Sequence, residues 1–523
     1  MKRNLSVLIL FIIFLTSCDF SANTIKDKYR DFYEIFVRSF YDSNGDKIGD
    51  IKGITEKLDY LNDGKKAGDD LGITGIYLMP IMPSPSYHKY DVTDYYAIDP
   101  EYGTMADFEE FIAESHKRGI SVIADLVLNH TSAQHPWFIS AKKSIAIEPC
   151  GQETCIYPEL CREHNQYCSF YNFSTDPFRK TEVDMPSGWY YEAVFWDQMP
   201  DLNLSNEFLR EEIKKITKFW LDKGVDGFRL DAVTHFYENK LMDNIAFLDW
   251  FSEMAIEEKE NAYIVGEAWS NQLTILNYYR SSIDSYFNFP FAENGGFIKQ
   301  LISRKDGVNL SKQIEKWQNM MLERSPNAID APFLSNHDND RSIDYFSDNS
   351  EAKLAASVYL LMPGNPFIYY GEEIGMTGKG RDENKRQPLV WSVKDKTGIA
   401  SPAIGTEQTQ NLSAGVKEQL TDPDSLLYHY RNILKIKSEY PEIARGKIKA
   451  IDTGVKEICL YSLEYKGSVV YIIHNFSDES IEIPYTGEIN AKKIAGALYT
   501  SGGESKINGN NITLAKKSTL VLK

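Results

Sequence analysis

The sequence predicts an α/β fold: a (β/α)8 TIM barrel with an inserted lobe after its third strand and a C-terminal antiparallel β-sandwich. Eight short apolar runs typical of buried strands alternate with helical segments, most of which end at or near a glycine. Several of these runs end in a carboxylate, and a barrel gathers the carboxyl ends of its strands at one face. A doubly wound sheet is the alternative, but the sequence contains no G-x-G-x-x-G phosphate loop.

The predicted barrel occupies residues 29–130 and 204–440. Between its strands lie helical segments whose apolar residues are spaced for one buried face, such as 105–119, 205–224 and 351–364. The strands themselves are expected at 31–40, 75–80, 121–128, 227–233, 262–268, 285–291, 330–336 and 366–371.

Two segments are additions to a bare barrel. Residues 131–203 separate the third strand from the helix before the fourth, which is too long for an ordinary loop and predicts an inserted lobe. Residues 441–523 change to short alternating strands with turns rich in Asn and Gly. This tail predicts a separate β-sandwich domain.

Residues 1–18 have the features of an export signal. A basic start at Lys2 and Arg3 precedes an apolar stretch too short to span a bilayer, and the string LTSC at 15–18 ends it with small residues before a cysteine. This ending resembles the bacterial lipobox, which implies lipidation of Cys18 and anchoring in a membrane of the bacterial cell envelope. An ordinary cleaved signal peptide of a secreted protein is the alternative, and both interpretations predict export.

Four cysteines crowd into a polar stretch of the predicted lobe, at Cys150, Cys155, Cys161 and Cys168. In an exported protein such a group predicts two local disulfides, for which three pairings are possible. Zinc is the alternative and is supported by the neighbouring His164, although the spacings match no common zinc motif.

Charge and composition restrict the partners. The chain carries a formal net charge of -18 and has 42% hydrophobic residues, which is an ordinary globular composition. An acidic protein gains nothing electrostatically from nucleic acid or an anionic membrane surface, so neither is an expected partner.

Five strings hold most of the functional information: DLVLNH (125–130), MPDLN (199–203), GFRLDAVTH (227–235), VGEAW (265–269) and FLSNHD (333–338). With GITGIYLMP at 72–80 and GNPFIYYGEEIG at 364–375, they resemble the conserved segments of the α-amylase family of glycoside hydrolases, in the family's order and on the expected elements. The string MPDLN further resembles members intermediate between neopullulanase and oligo-1,6-glucosidase types.

The resemblance implies a retaining mechanism with two carboxylates about 5–5.5 Å apart. It implies that Asp231 is the nucleophile, Glu267 the acid/base and Asp338 the support of the transition state. Glu267 must hold a proton in the resting site, so its pKa is expected to be raised by burial and nearby carboxylates. Arg229, on the same strand face as Asp231, is expected to keep the nucleophile ionised.

Further residues match the family's substrate contacts. His130 and His337 resemble its donors to sugar hydroxyls, and Tyr90 resembles its stacking platform beneath the cleaved sugar. Ala232, after the expected nucleophile, resembles members that act on α-1,4 bonds, whereas dedicated α-1,6 enzymes more often carry Val there.

Two calcium sites are predicted. The loop after the first strand places oxygen donors at every second position, which suits a hard cation; a solvated turn is the alternative. Its donors are Asp42, Asn44, Asp46, the carbonyl of Ile48, and Asp50. A second set resembles the calcium ligands between barrel and lobe in the family, namely Asn129, Asp201 and His235.

The sequence therefore predicts an exported, lipid-anchored retaining hydrolase that cleaves α-1,4 bonds of starch, glycogen or maltooligosaccharides. An α-1,6-active, pullulan-cleaving or transglycosylating relative is the nearest alternative. A non-catalytic glucan-binding or transporter-accessory protein is a third, although such proteins typically lose one or more of the three acids.

Overall fold

The computed structural model describes residues 27–523 except 66–67, 178–180, 239, 486–487 and 492. The predicted export signal and Cys18 lie outside the described residues. Among those described, no helix combines the length and the apolar character that crossing a membrane requires.

The strands follow the predicted order. The first are β1 (Phe32–Ile35), β2 (Gly75–Leu78) and β3 (Ser121–Leu126), followed by the short β4 (Phe173–Ser174), β5 (Glu182–Asp184) and β6 (Tyr190–Glu192). Next come β7 (Gly227–Leu230), β8 (Tyr263–Gly266), β9 (Ser285–Tyr286) and β10 (Phe367–Tyr369). The tail holds β11 (Lys447–Ala450), β12 (Ile458–Tyr465), β13 (Ser468–Asn475), β14 (Ile481–Pro484), β15 (Ile494–Tyr499), β16 (Lys506–Asn508), β17 (Asn511–Leu514) and β18 (Ser518–Leu522).

The helices fill the intervals. Those up to the fifth barrel strand are α1 (Val37–Phe40), α2 (Ile51–Glu56), α3 (Leu58–Leu61), α4 (Met105–Lys117), α5 (Pro136–Ser144), α6 (Glu207–Asp222) and α7 (Leu241–Glu258). The later ones are α8 (Gln272–Tyr278), α9 (Phe297–Ser303), α10 (Gly307–Leu322), α11 (Asn349–Leu360), α12 (Asp382–Lys385), α13 (Val416–Gln419), α14 (Leu426–Glu439) and α15 (Pro441–Arg445). Short 3-10 turns occur at Pro158–Leu160, Gln166–Ser169, Ser342–Tyr345 and Glu372–Ile374.

The predicted barrel is confirmed. Seven strands form one sheet in the order β10–β1–β2–β3–β7–β8–β9, and all neighbouring pairs are parallel. Isolated parallel bridges Phe287–Ala331 and Phe333–Phe367 connect the two edges of this sheet through residues 331–333. The predicted seventh strand at 330–336 is thus reduced to two bridges. Pro332 lies between them, and it has no N–H to donate to a ladder.

The sequence explains why the barrel helices form where they do. The longer helices begin at polar caps: Thr104 and Asp107 form a capping box at α4, and the Asn206 side chain accepts a hydrogen bond from Leu209 N at α6. The barrel strands are buried along their length, so their runs are almost wholly apolar rather than alternating.

Between β3 and α6 the chain holds α5 and a small antiparallel sheet in the order β4–β6–β5. This segment returns to the barrel through an antiparallel bridge between His130 and Asp201. Residues of the segment therefore lie at the rim on which the third strand ends.

The tail forms two antiparallel sheets, β11–β12–β13–β18–β15 and β14–β17–β16, as predicted for a β-sandwich. One face of the larger sheet shares its core with the barrel, because Cys459, Tyr461 and Ile472 belong to the same buried cluster as the barrel strands. Gln318 on α10 completes the junction: its amide donates to Gly446 O at 2.9 Å and its carbonyl accepts from Ile448 N at 2.8 Å.

The predicted disulfides are not formed in the structure. All five cysteines among the described residues are free thiols: Cys150, Cys155, Cys161, Cys168 and Cys459. The reason is geometric, since three of the sulfurs surround one histidine ring instead of meeting in pairs.

Candidate active site

The three predicted acids lie at the carboxyl ends of barrel strands. Asp231 directly follows β7, Glu267 directly follows β8, and Asp338 follows the bridged segment 331–333. All three line one open cleft of about 470 Å³, together with Tyr90, His130, Phe195, Trp196, Trp269 and Arg386 among others. The sequence-predicted acids are thus brought together.

Arg229 connects two of these acids. Its Nη1 lies 2.6 Å from Asp231 Oδ1, and its Nη2 lies 2.8 Å from Glu267 Oε1. The guanidinium is buried, so it acts on both carboxylates with little screening by water. The predicted contact of Arg229 with Asp231 is present, and the contact with Glu267 is additional.

A third carboxylate on the same guanidinium was not among the predicted site residues. Asp125 pairs in register with Arg229 across β3 and β7, and both its oxygens lie 3.0 Å from Arg229 Nη1. The hydroxyls of Tyr77 and Tyr90 also donate to Asp125, at 2.6 and 2.9 Å. Its position inside a predicted strand of otherwise apolar residues was the signal that could have found it.

His337 is held between carboxylates. Its Nδ1 lies 2.6 Å from Glu34 Oε1, and its Nε2 lies 3.0 Å from Asp338 Oδ2 and 2.7 Å from the Tyr90 hydroxyl. Burial lowers the pKa of His337, but Asp338 and Glu34 outweigh burial and raise it to about 10. The ring is therefore an imidazolium at neutral pH.

Besides His337, Asp338 contacts a second cationic side chain, which comes from the charged segment 379–391. Arg386 Nη2 lies 2.7 Å from Asp338 Oδ1, and Arg386 Nε donates to His337 O at 3.0 Å. Burial acts to raise the pKa of Asp338, but His337 and Arg386 prevail and hold it well below its usual range. The lowered pKa favours an ionised Asp338 at neutral pH. Arg386 joins the predicted residues of the site.

Glu267 and Asp231 are both shifted upward. Burial, followed by the charges of Asp231 and Asp338, raises the pKa of Glu267 to about 7 against the attraction of Arg229. Burial also raises the pKa of Asp231 to about 6, with Arg229 again opposing. The predicted shift of Glu267 is present, and the pair supplies one group that holds its proton more tightly than the other.

Of the predicted hydroxyl contacts, His130 lines the cleft, and His337 lies beside the cleft residue Asp338. Burial lowers the pKa of His130 to about 3, so its ring is neutral, and its Nε2 has no hydrogen-bond partner within the described structure. The Tyr90 ring stacks on His337 with centroids 5.6 Å apart. A buried ring nitrogen without a partner, at the edge of a cleft, suits a ligand hydroxyl.

The backbone after Asp231 also contributes. Ala232 has a φ of 49°, a left-handed conformation that costs free energy for a residue with a Cβ. This conformation accompanies a 3.0 Å hydrogen bond from Ala232 N to Glu267 Oε2. The strain therefore fixes the second carboxylate of the pair.

These pKa values predict a narrow bell-shaped pH profile of kcat/KM. Activity requires ionised Asp231 and protonated Glu267, so it should rise through an apparent pKa of about 6 and fall through one of about 7. Initial rates on maltoheptaose across the pH range test this, with the unfolding midpoint recorded at each pH to exclude denaturation. Constant kcat/KM across the neutral range would contradict it.

The loop predicted as the first calcium site has the expected donors, and most of them contact the loop's own backbone. Asp42 Oδ1 accepts from Gly45 N at 2.6 Å, and Asp46 Oδ1 accepts from Ile48 N at 2.7 Å. Similar bonds engage Asn44 with Asp46 N and Asp50 with Ser43 N and Gly53 N. Each carboxylate and amide keeps further lone pairs of the kind that Ca2+ accepts. The carboxylates of Asp42, Asp46 and Asp50 nevertheless do not converge on one point among the described residues, so the structure shows suitable donors but does not assemble them.

The second set lies together between barrel and lobe. Asn129, Asp201 and His235 line one cavity of about 400 Å³, and Asn129 Nδ2 lies 3.1 Å from Asp201 Oδ1. Burial and the charge of Glu192 raise the pKa of Asp201 to about 8. A cation there would favour the ionised form of Asp201. The side chains of Asp201 and Asn129 carry oxygen donors of the kind that Ca2+ takes, whereas the His235 ring does not.

Comparisons with known proteins agree with this geometry. Residues 34–446 match the model of the alpha-amylase catalytic domain family. Alpha-amylase 3 of Dictyoglomus thermophilum is 38% identical over 100% of this chain and 98% of its own, and an oligo-1,6-glucosidase of Parageobacillus thermoglucosidasius is 30% identical over 86% and 90%. Among solved structures, Eubacterium rectale Amy13B superposes with a TM-score of 0.88 at 40% identity, covering 95% of each chain. This chain therefore belongs to the alpha-amylase family of glycoside hydrolases and is an enzyme of that family.

Proposed function

We propose that the enzyme is a retaining α-glucan hydrolase that acts mainly on α-1,4 bonds of starch, glycogen or maltooligosaccharides. The observation that carries the proposal is the Arg229 fork, which joins Asp231 and Glu267 in one buried site at the end of the barrel. It gives a nucleophile and an acid whose pKa values differ, as double displacement at a sugar carbon requires.

In the first step the ionised Asp231 attacks the anomeric carbon. The bond to the leaving oxygen breaks, and the Glu267 proton moves to that oxygen. In the second step Glu267 takes a proton from water, whose oxygen attacks the anomeric carbon and releases Asp231. Two inversions at one carbon give net retention.

Asp338 stabilises the cationic character that develops on the sugar in the transition state of each step. Arg386 and His337 keep its charge in place, at 2.7 and 3.0 Å from its two oxygens. His130 and His337 contact sugar hydroxyls, and Tyr90 stacks beneath the ring. These groups are fixed before substrate arrives, so little reorganisation is needed during the reaction.

The cleft suits a chain of sugars. Phe195, Trp196 and Trp269 line it, and each is about half exposed, at 48%, 50% and 51%. Large exposed aromatic surfaces around a polar centre are typical of ligand-binding grooves, and aromatic rings stack on pyranoses. Linear glucans would therefore gain binding energy from these rings beyond the contacts of the cleaved sugar.

The α-1,4 preference rests on Ala232 and on the alpha-amylase relative that matches the whole chain at 38% identity. The alternative is an α-1,6-active or transglycosylating enzyme, favoured by the relative named as an oligo-1,6-glucosidase. Soluble starch, pullulan, isomaltotriose and maltoheptaose discriminate between them when products are followed in time and their anomers are read by NMR.

We expect starch and maltoheptaose to be cleaved fastest and to release α-anomers first, with no product from Asp231→Asn. Preference for pullulan or isomaltotriose would favour the α-1,6 alternative. Glucan binding without turnover by the folded wild-type protein would favour the binding-protein alternative and contradict the proposal.

Calcium is part of the proposal, at the loop that runs from Asp42 to Asp50 and at the cavity of Asn129, Asp201 and His235. Returning Ca2+ to EGTA-treated protein should raise its unfolding temperature, because a ligand present at about 100 times its Kd stabilises by about 2.7 kcal/mol. Asp46→Ala should remove the part of this temperature rise that the first site contributes. Asp201→Asn should remove the part that the second site contributes. Mg2+ is the control ion. Equal unfolding temperatures with Ca2+ and with Mg2+ would contradict the proposal.

We also propose export and lipid anchoring through Cys18, on the strength of the string LTSC at 15–18. Wild-type protein expressed in a bacterial host should sediment with membranes, and Cys18→Ser should be lost from that fraction. If the wild-type protein is instead found in the soluble secreted fraction and has been cleaved after Cys18, the ordinary signal peptide would be favoured.

A further inference from the structure

Three cysteines and a histidine of the inserted segment converge on one point. A ligand atom from each of Cys150, Cys155, Cys161 and His164 lies within 4.8 Å of every other, and no other such group of three or more His, Cys, Asp or Glu side chains occurs in the described part of the chain. His164 Nδ1 lies 3.5 Å from Cys150 Sγ and 3.4 Å from Cys161 Sγ.

These separations are those of a tetrahedral zinc site. With Zn–S of about 2.3 Å and Zn–N of about 2.0–2.1 Å, the edge between sulfur and nitrogen is about 3.5 Å. A disulfide instead requires two sulfurs about 2.05 Å apart, and the structure contains free thiols. If two of the three clustered cysteines formed a disulfide with each other, the third would remain an unpaired thiol.

The local backbone places two ligands together. After the turn Pro158–Leu160, His164 N donates to Cys161 O at 3.1 Å and Asn165 N donates to the same oxygen at 2.8 Å. This turn brings the side chains of Cys161 and His164 to one side. Cys161 is buried although Leu160 and Glu163 on either side of it are exposed.

Residues 146–160, which supply two of the four ligands, bury almost none of their side chains. Between α5 and β4 the regular structure is limited to two short 3-10 turns, and Ile156, Tyr157 and Leu160 are exposed at 84%, 63% and 47%. Short segments without an apolar core usually need a disulfide or a metal to hold one conformation. The four converging side chains are where such a link would lie.

We propose that Cys150, Cys155, Cys161 and His164 bind a structural Zn2+ that folds this segment of the inserted lobe. Thiolate and imidazole ligands select a soft or borderline cation, in contrast to the oxygen donors of the loop from Asp42 to Asp50. Four protein ligands leave no open position for water, and none of the four lines the substrate cleft. The role is therefore structural rather than catalytic.

Cys168 supplies a matched control. It lies in the same cysteine-rich stretch, but it is absent from the cluster, and its thiol instead contacts Ala141 O at 3.7 Å. Replacing Cys168 thus removes a nearby thiol without removing a proposed ligand.

The experiment measures the zinc content of the full-length protein by plasma mass spectrometry after gel filtration in zinc-free buffer. We expect about one zinc per chain in wild type and in Cys168→Ser, and at least about tenfold less in Cys161→Ser. Replacement by Co2+ should give thiolate-to-cobalt charge-transfer absorbance in wild type that Cys161→Ser lacks. Zinc content unchanged in Cys161→Ser would overturn the proposal.

If Cys161→Ser does not fold, the wild-type protein decides the question. Titration of its thiols with a mercurial should release the zinc to a metallochromic dye, and bound zinc should protect the cluster thiols from alkylation. Zinc-free wild type with two disulfides, detected by peptide mapping without reduction, would overturn the proposal in favour of the two disulfides predicted from the sequence. Neither readout depends on glucan hydrolysis.

Discussion

Glu267→Gln should lower the rate of maltoheptaose hydrolysis by about 10³-fold, within the range that a general acid contributes. Glutamine preserves the shape of the side chain but has no proton of suitable acidity to give to the leaving oxygen. Fluoride departs without protonation, so attack on α-maltosyl fluoride should be much less affected. Parallel assays of both substrates with wild type and Glu267→Gln measure the difference.

Azide separates the two acids by the configuration of the product. In Glu267→Ala, azide needs no general base and should react with the covalent intermediate on Asp231, giving the α-glycosyl azide. In Asp231→Ala it should replace the nucleophile itself and give the β-glycosyl azide. The assignment would be refuted if Glu267→Gln lost activity equally on maltoheptaose and on α-maltosyl fluoride. It would also be refuted if Glu267→Ala gave the β-glycosyl azide and Asp231→Ala the α-glycosyl azide.

Arg229→Met should cost about 3–5 kcal/mol of unfolding free energy, the usual penalty for leaving buried charge without its partner. Three carboxylates depend on this guanidinium: Asp125, Asp231 and Glu267, at 2.6 to 3.0 Å. Without it the pKa of Asp231 rises further, because the positive charge of Arg229 is what mainly lowers it. The acid limb of the pH profile should move to higher pH, and activity near neutrality should fall.

Denaturant unfolding and the pH profile measure the two effects of Arg229→Met. Arg229→Lys should recover little, since one ammonium cannot contact three carboxylates in fixed directions. Arg381→Met is the matched control: Arg381 is a half-exposed residue whose ion pairs with Glu383 and Glu407 lie at the surface, so stability should change by less than about 1 kcal/mol. An unfolding midpoint and acid limb of Arg229→Met equal to those of wild type would contradict the expectation.

Much of the barrel could be predicted because its strands are short, apolar and regularly spaced, and because Asp231 and Glu267 interrupt that pattern at strand ends. The sequence could not predict that the seventh strand would be reduced to two bridges. Pro332 removes one hydrogen-bond donor, and the effect of this loss depends on how the segment pairs with the strands on its two sides. Asp125 lies within a predicted strand, and sequence spacing does not reveal that Arg229 stands beside it in register.

Contacts between distant segments were the least predictable part of the site. Glu34 and His337 are 303 positions apart, and Arg386 reaches Asp338 from a segment whose charges are equally typical of solvent exposure. The cysteines show the same limit, because composition and compartment favour disulfides while the folded turn around Cys161 brings three thiols to one histidine. Export, lipidation at Cys18 and calcium stay predictions.

The junction at α10 affects how this enzyme can be recombined with its relatives. The side-chain amide of Gln318 uses both its nitrogen and its oxygen to bond to the backbone of the tail. At Gly307 the helix comes so close to the tail that an added Cβ would lie 2.4 Å from Cys459 N. A chimera made by joining a foreign β-sandwich at the chain boundary would leave this helix facing a surface it does not fit. A foreign tail consequently needs a matching surface on α10, whose other face packs in the barrel core through Leu310, Ile314 and Trp317. The barrel and tail should therefore melt as a single cooperative body.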